Sequence, residues 1–267
     1  MAKDTGVKLK KIVKETYGKI AAGNKKSKSS CCGSGCGCGG ADNFMLESYD
    51  GLKGYNFDAD LGLGCGLPTN FAKIKKGDTV VDLGSGAGND CFVARAQAGE
   101  KGKIIGIDFT PEMIEKAKKN AKKLKFSNVE FIYGDIEKIP LSSNLSDVVI
   151  SNCVLNLVPD KQAVFKEIYR VLKPNGHFSV SDVVLNGDLP EKIKSAAEMY
   201  AGCVSGAVKK DVYLKCIKKA GFKNITIQKE KNVIIPDKDL KKFLNGEEIT
   251  AYKKSPSVIS ITVYAEK

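Results

Sequence analysis

The sequence predicts an α/β protein: a doubly wound, Rossmann-like, mostly parallel sheet with an antiparallel edge hairpin and a flexible Cys-rich N-terminal segment. Three observations carry this. From Gly77 onward, apolar runs of strand length alternate with helical periodicities. The first of these runs ends in a glycine-rich turn, Asp82-Leu83-Gly84-Ser85-Gly86-Ala87-Gly88. Between Gly23 and Gly40 the chain, apart from Asn24, is built from Gly, Ser, Lys and Cys alone, a composition that cannot bury a core.

Taken in order, residues 5–22 set Val7, Leu9, Ile12, Val13, Tyr17 and Ile20 among lysines at helical spacing, an amphipathic helix able to dock on the core. Strands follow at 79–83, 103–108, 129–134, 147–153 and 177–184, separated by helices at about 88–98, 111–124 and 160–172. Thr110-Pro111-Glu112 offers a capping hydroxyl and a proline in the first helical turn. Past Leu185 the rhythm changes to helices near 190–201 and 209–220 and strands near 225–230 and 258–265, the last two forming the antiparallel edge. Pro236 and Pro256 bracket a polar insertion that reads as a surface loop with one short helix. Four regions result: an N-terminal helix (1–22), a Cys/Gly-rich linker (23–43), a cofactor-binding domain that includes the Cys65 segment (44–184), and a cover with the closing strands (185–267).

Composition narrows the function. The chain has 267 residues and a net charge of +12, but residues 1–30 carry nine lysines against Asp4 and Glu15; that +7 leaves only +5 for the rest. With Arg95 and Arg170 as its two arginines, the bidentate guanidinium groups that read nucleic acid are scarce, so no nucleic-acid partner is expected. No apolar run reaches the roughly 18 residues of a membrane span and the N-terminus has no secretory apolar stretch, so no membrane partner is expected and a cytoplasmic location is read. Nine cysteines in such a chain point to working thiols rather than disulfides. The single histidine, His177, lies in Pro-Asn-Gly-His-Phe and reads as an exposed structural residue at a strand start. Imidazole-based catalysis is therefore disfavoured.

The glycine turn lets backbone approach a ligand closely. Asp108 ends the second strand, where a carboxylate can accept hydrogen bonds from both hydroxyls of a ribose. The G-x-G-x-G spacing differs from the dinucleotide fingerprint and no Walker lysine follows, which sets NAD and ATP aside.

The cysteines divide by context. Cys65 (Leu-Gly-Cys-Gly), Cys153 (Ser-Asn-Cys-Val) and Cys203 (Ala-Gly-Cys-Val) sit among small or polar residues, and a doubly wound sheet can bring them together at its carboxyl edge around a thiophilic atom. Cys91 and Cys216 read as core residues. Cys31, Cys32, Cys36 and Cys38 lack paired C-x-x-C units; a thiol relay, a separate metal site and a redox tail all remain open for them.

D-L-G-S-G-A-G, G-I-D ending at Asp108, G-D-I-E beginning at Gly134, and R-V-L-K-P-N-G before a strand resemble the S-adenosylmethionine-dependent methyltransferase superfamily. The resemblance implies that the glycine turn faces the methionine part of that cofactor, Asp108 its ribose, and Asp135 and Ile136 its adenine. The implied cofactor set is Asp82, Gly84, Ser85, Gly86, Asp108, Met113, Asp135, Ile136 and Asn152. From about Leu61 onward the chain further resembles the arsenite methyltransferases, through L-G-L-G-C-G-L-P, G-I-D-F-T-P-E-M, S-N-C-V-L-N-L, P-D-K and Y-A-G-C-V-S-G-A in the family's order. This implies that Cys153 and Cys203 hold every trivalent arsenical and that Cys65 is a third ligand to arsenite. It also implies an external thiol reductant, thioredoxin or a low-molecular-weight thiol. One of Cys31, Cys32, Cys36 and Cys38 stands as an auxiliary thiol, and the C-terminal extension of longer eukaryotic members is expected to be absent. A monomer is expected. Residues 1–40 are expected to be auxiliary, dispensable for cofactor binding. The rival readings are a methyltransferase for a quinone-type acceptor and a non-catalytic thiol protein that sequesters arsenic or copper.

Overall fold

Seven strands form one sheet in the order β3-β2-β1-β4-β5-β7-β6. The computed structural model describes residues 2–23, 47–194, 204, 206–254 and 257–267. Strands β1 (Thr79–Leu83), β2 (Lys103–Asp108), β3 (Val129–Tyr133), β4 (Ser146–Asn152) and the long β5 (Leu172–Leu185) pair in parallel. β7 (Val258–Glu266) returns antiparallel to β5 and carries the edge strand β6 (Lys223–Asn232) antiparallel to itself, the expected edge hairpin. β1 and β4 are central, and Val80, Val81, Val148, Val149 and Ile150 are wholly buried, the apolar run of a parallel strand covered on both faces.

Helices α2 (Asn89–Ala98), α3 (Pro111–Lys123) and α4 (Lys161–Val171) cross between parallel strands, and α6 (Lys210–Lys219) precedes β6. Between β5 and α6 the helix α5 (Glu191–Lys194) is described; the expected continuation to residue 201 lies outside the described residues. The cap of α4 is Asp160, whose carboxylate accepts the Ala163 N–H at 3.0 Å. Thr110 does not cap α3 with its hydroxyl. Its own N–H donates to Asp108 Oδ1 at 2.8 Å, so the turn is tied to the strand end instead.

Three further expectations change. The strand after α4 starts at Leu172 rather than 177: Leu172 pairs with Ser146, the Lys-Pro-Asn-Gly segment bulges with Asn175 at φ 64°, and pairing resumes at His177 with Val148. His177 is half-buried, its Nε2 2.6 Å from the Ala72 carbonyl, a tether rather than an exposed residue. The insertion after Pro236 folds into two helices, α7 (Asp237–Leu240) and α8 (Gly246–Lys254), and buries Leu240, Leu244, Ile249 and Tyr252. Those side chains join a cluster that also holds Cys65, Cys153, Leu157 and Val13, so the insertion supports the carboxyl edge of the sheet.

Helix α1 (Ala2–Ala22) packs beside α3 and over the same edge. Val13 is 1% exposed in the Cys65/Cys153 cluster, and Lys116 Nζ donates to the Ala21 carbonyl at 3.1 Å. No described helix is long and apolar enough to cross a membrane.

Candidate active site

A cleft of about 1040 Å³, its open mouth included, lies at the carboxyl ends of β1, β2 and β4, the place where doubly wound sheets bind ligands. Its floor is the turn after β1. Gly84 (φ 72°), Gly86 (φ 51°) and Gly88 (φ 98°) hold left-handed conformations, and a Cβ on Gly84 would lie 2.3 Å from Val154 Cγ2. The N–H groups of Gly84 and Ser85 both donate to the Ile107 carbonyl, at 2.8 and 3.0 Å, which fixes the turn to β2.

Asp108 stands opposite this turn. Its carboxylate accepts the Gly86 N–H at 3.0 Å and the Thr110 N–H at 2.8 Å, one on each oxygen, with the Thr110 side chain and the Phe109 backbone also bonded to it. Burial raises its pKa, and those backbone bonds oppose the rise. Ser85 Oγ, buried in the same wall, has no hydrogen-bond partner among the described residues. Met113 and Ile136 supply apolar wall. Asp135 caps the turn at Ile136–Lys138 by accepting the Glu137 N–H at 2.9 Å.

Two further acids line the cleft. Burial, reinforced by Asp90, pushes the Asp82 carboxyl well above the usual carboxylate range, and Cys91 Sγ donates to its Oδ2 at 3.2 Å. Asp90, at the first turn of α2, is pushed by burial up to about 6. The rise is opposed by its bonds from Asn152 Nδ2 at 3.1 Å and from the Tyr49 hydroxyl at 2.9 Å. The Tyr49 hydroxyl is in turn raised by its own burial and by Asp90.

Cys153 lines the cleft beside the end of β4, and the Cys65 thiol lies within 4.8 Å of its sulfur. Cys153 follows β4 directly, with a backbone φ of 59°, a left-handed conformation that costs a non-glycine residue about 1–3 kcal/mol. Its N–H donates to the Ser181 carbonyl at 2.8 Å, which holds the residue in place. Cys65 arrives from before β1 and is wholly buried. Its N–H donates to Asn152 Oδ1 at 3.0 Å, and its carbonyl accepts the Ser260 hydroxyl at 2.7 Å. A Cβ on Gly64 would lie 2.7 Å from Asn152 Nδ2, so glycine is needed for this approach. The Sγ atoms of Cys65 and Cys153 and a carboxylate oxygen of Asp182 all lie within 4.8 Å of one another. The structure thus brings together two of the three cysteines singled out in the sequence. Cys203, Cys31, Cys32, Cys36 and Cys38 lie outside the described residues. Cys91 is buried in the core behind the turn, and Cys216 is only partly buried against the main core.

The family resemblance places Asn152 among the cofactor residues, and it does line the cleft. Its side-chain hydrogen bonds, however, run to Cys65, Gly66, Tyr49 and Asp90. Sequence reasoning also missed the contribution of α1. Lys10, Val13 and Tyr17 line the cleft, and Lys10 Nζ pairs with Asp135 Oδ2 at 2.5 Å and with Glu137. Tyr49, Asp90 and Asp182 were unassigned as well. Asp90 sits two residues beyond the glycine turn and was within reach of a motif reading; nothing local marks Tyr49.

The fold and the cleft define a doubly wound cofactor-binding domain with paired thiols at its carboxyl edge. Residues 74–221 match the family described as "Methyltransferase domain". The chain is 40% identical over 264 residues to the arsenite methyltransferase of Halobacterium salinarum, covering 91% of this chain and 66% of that protein. It is 31% identical over 253 residues to the arsenite methyltransferase of Rattus norvegicus, covering 91% and 67%. The crystal structure of an arsenic (III) S-adenosylmethionine methyltransferase from Chlamydomonas reinhardtii superimposes with a TM-score of 0.65 at 34% identity, over 76% of this chain and 67% of that one. The matches span about two thirds of the length of these relatives. The chain belongs to the arsenite methyltransferases, within the S-adenosylmethionine-dependent methyltransferases.

Proposed function

We propose that this chain moves methyl groups from S-adenosylmethionine to trivalent arsenic, arsenite first and methylarsenite next, held on the thiolates of Cys65, Cys153 and Cys203. One observation supports the reading above the others: Cys65 and Cys153, remote in sequence, meet beside the cleft that carries Asp108 and the glycine turn. A quinone-type acceptor gives no reason for two thiols there, and sequestration gives none for the cofactor cleft.

The cleft suits the cofactor. Asp108 sets a carboxylate opposite the glycine turn for the ribose hydroxyls, the unpartnered Ser85 hydroxyl offers a further polar contact, and Asp90, ionised above about pH 6, favours a cationic ligand. When bound, the cofactor supplies an electrophilic methyl on a positively charged sulfur. The chain supplies position. Each thiol displaces one hydroxide of arsenite, its proton leaving with that hydroxide as water, and arsenic becomes a pyramid of sulfur ligands with its lone pair exposed. Aimed along the cleft, that lone pair forms the As–C bond as the S–C bond breaks, so orientation lowers the barrier and no general base is needed. Arsenic leaves the step pentavalent. Two thiols return it to the trivalent state by forming a disulfide, which an external thiol, thioredoxin or a small thiol, reduces again. Within this reading the protein is a cytoplasmic monomer serving arsenic detoxification.

The deciding experiment incubates the purified full chain with arsenite, S-adenosylmethionine and a thiol, then separates the arsenic species. Methylated arsenic that requires all three components supports the proposal. Unchanged arsenite, from protein that binds cofactor, overturns it.

A further inference from the structure

Asp182 has no part in the mechanism above, yet it sits at the thiol site. Its carboxyl lies on β5, wholly buried, with one oxygen within 4.8 Å of both Sγ atoms. It is held there by the Val183 N–H on Oδ1 at 2.9 Å and by the Tyr213 hydroxyl on Oδ2 at 3.2 Å. The backbones of the two cysteines are anchored too, through Asn152 and Ser260 for Cys65 and through Ser181 for Cys153. Arsenic(III) selects soft sulfur donors and has little use for a carboxylate. Thiolates and carboxylates are both ligands that a d10 divalent cation such as zinc accepts. Donors of a tetrahedral zinc site stand roughly 3.5–4 Å apart, and these three lie within 4.8 Å of one another, close to that spacing.

We propose that Cys65, Cys153 and Asp182 form a site for a divalent thiophilic cation, Zn(II) or Cd(II), that shares its two thiols with the arsenic site. A cation there occupies thiols that arsenite needs, so it acts as a reversible competitor of methylation. The competition rests on the arsenic reading; the cation site itself does not.

The test uses the full chain with Cys31, Cys32, Cys36 and Cys38 replaced by Ser, so that the N-terminal thiols add no binding. Kept reduced with a phosphine, it is titrated with Cd(II) and followed by the ultraviolet thiolate-to-cadmium band. Arsenite binding is measured separately by equilibrium dialysis. Supporting residues at metal sites typically cost 10–100-fold when removed, and a direct ligand costs at least as much. Asp182→Asn is therefore expected to lower Cd(II) affinity at least tenfold more than it lowers arsenite affinity. Arsenite added to the loaded protein should release the cadmium. A second measurement does not depend on the variant folding: the 113Cd resonance of the unsubstituted-Asp182 protein should fall at the position of mixed sulfur and oxygen donors. An all-thiolate resonance, or equal losses of both affinities in Asp182→Asn, overturns the proposal. If arsenite fails to bind while cadmium still depends on Asp182, the arsenic reading fails and the cation site stands.

Discussion

The side-chain carbonyl of Asn152 accepts the backbone N–H of Cys65 at 3.0 Å, while its amide nitrogen donates to the Gly66 carbonyl at 2.8 Å. One amide thus clamps both sides of the Cys65 thiol loop, and its remaining bonds reach Tyr49 and Asp90 on the cofactor side. Asn152→Ala leaves a buried backbone N–H and C=O without these partners, at a cost of about 1–3 kcal/mol each. The expected result is a fall of about tenfold or more in arsenite methylation, with a smaller fall on methylarsenite, measured as separate initial rates. Equal losses on both substrates, with unchanged cofactor affinity, would contradict a clamp on Cys65.

Asp108→Ala removes the proposed acceptor for the ribose hydroxyls and also the partner of Gly86 N–H and Thr110 N–H. Hydrogen bonds to a charged acceptor contribute about 1.5–3 kcal/mol each, so cofactor affinity should fall at least tenfold to a hundredfold. Calorimetric titration checks this, and arsenite binding should change little. Cofactor affinity that stays within about twofold would remove Asp108 from the site.

Asp90 gives the cleft a pH dependence, because burial pushes its carboxyl up to about 6. A cationic ligand prefers the ionised acid, so cofactor affinity should rise as pH climbs through 6 and level off at neutral pH. The unliganded protein behaves oppositely. Its folded-state pKa lies above the unfolded value of about 3.9, so this contribution to stability is fully present below that value and is lost as pH rises through 6. Asp90→Asn should flatten both profiles. Affinity titrations and melting curves from about pH 5 to pH 8 test the pair.

Much of this was legible beforehand, and the limits have physical causes. The glycine turn, Asp108 and the β/α alternation are local patterns, so they could be read in place. β5 begins at Leu172 because the Lys-Pro-Asn-Gly segment, by itself a turn, is bridged by pairing on both sides with β4. The helices after Pro236 form because Leu240, Leu244, Ile249 and Tyr252 find a distant apolar cluster to join. Asp182 gave no local sign of its position, since its place beside Cys65 and Cys153 exists only once β4, β5 and the Cys65 loop are assembled.

Helix α1 shows the same limit, and its place at the cleft puts the expectation that residues 1–40 are dispensable for cofactor binding to the test. Lys10, Val13 and Tyr17 form part of the cofactor cleft wall. The Lys10 pair with Asp135 is part-exposed, with side chains 30% and 43% accessible, so its contribution is at most about 1 kcal/mol and Lys10→Met should weaken cofactor binding by less than about fivefold. Val13 is buried, and Val13→Asp puts a charge where the helix docks. That variant should undock α1 and weaken cofactor binding about tenfold or more. Retained affinity in Val13→Asp, with increased protease sensitivity of α1, would return the helix to an auxiliary role.

The thiols themselves should not be equivalent. Arsenite offers three exchangeable positions, whereas a singly methylated trivalent arsenic keeps two. Cys153, locked at the end of β4 by its Ser181 bond and its left-handed backbone, is placed to serve both substrates. Cys65 comes from a separate loop and is needed only while a third position is open; Cys203 is proposed as the second ligand throughout. Cys65→Ser should therefore abolish or greatly slow methylation of arsenite yet retain methylation of methylarsenite, while Cys153→Ser and Cys203→Ser lose both reactions. Serine is close in size to cysteine but a poor ligand for a soft atom, so the change isolates ligation from packing. Rates on the two substrates are compared under reducing conditions, after each variant is shown to fold and to bind cofactor. Equal loss on both substrates in Cys65→Ser, or normal arsenite turnover in Cys153→Ser, would defeat this division of roles.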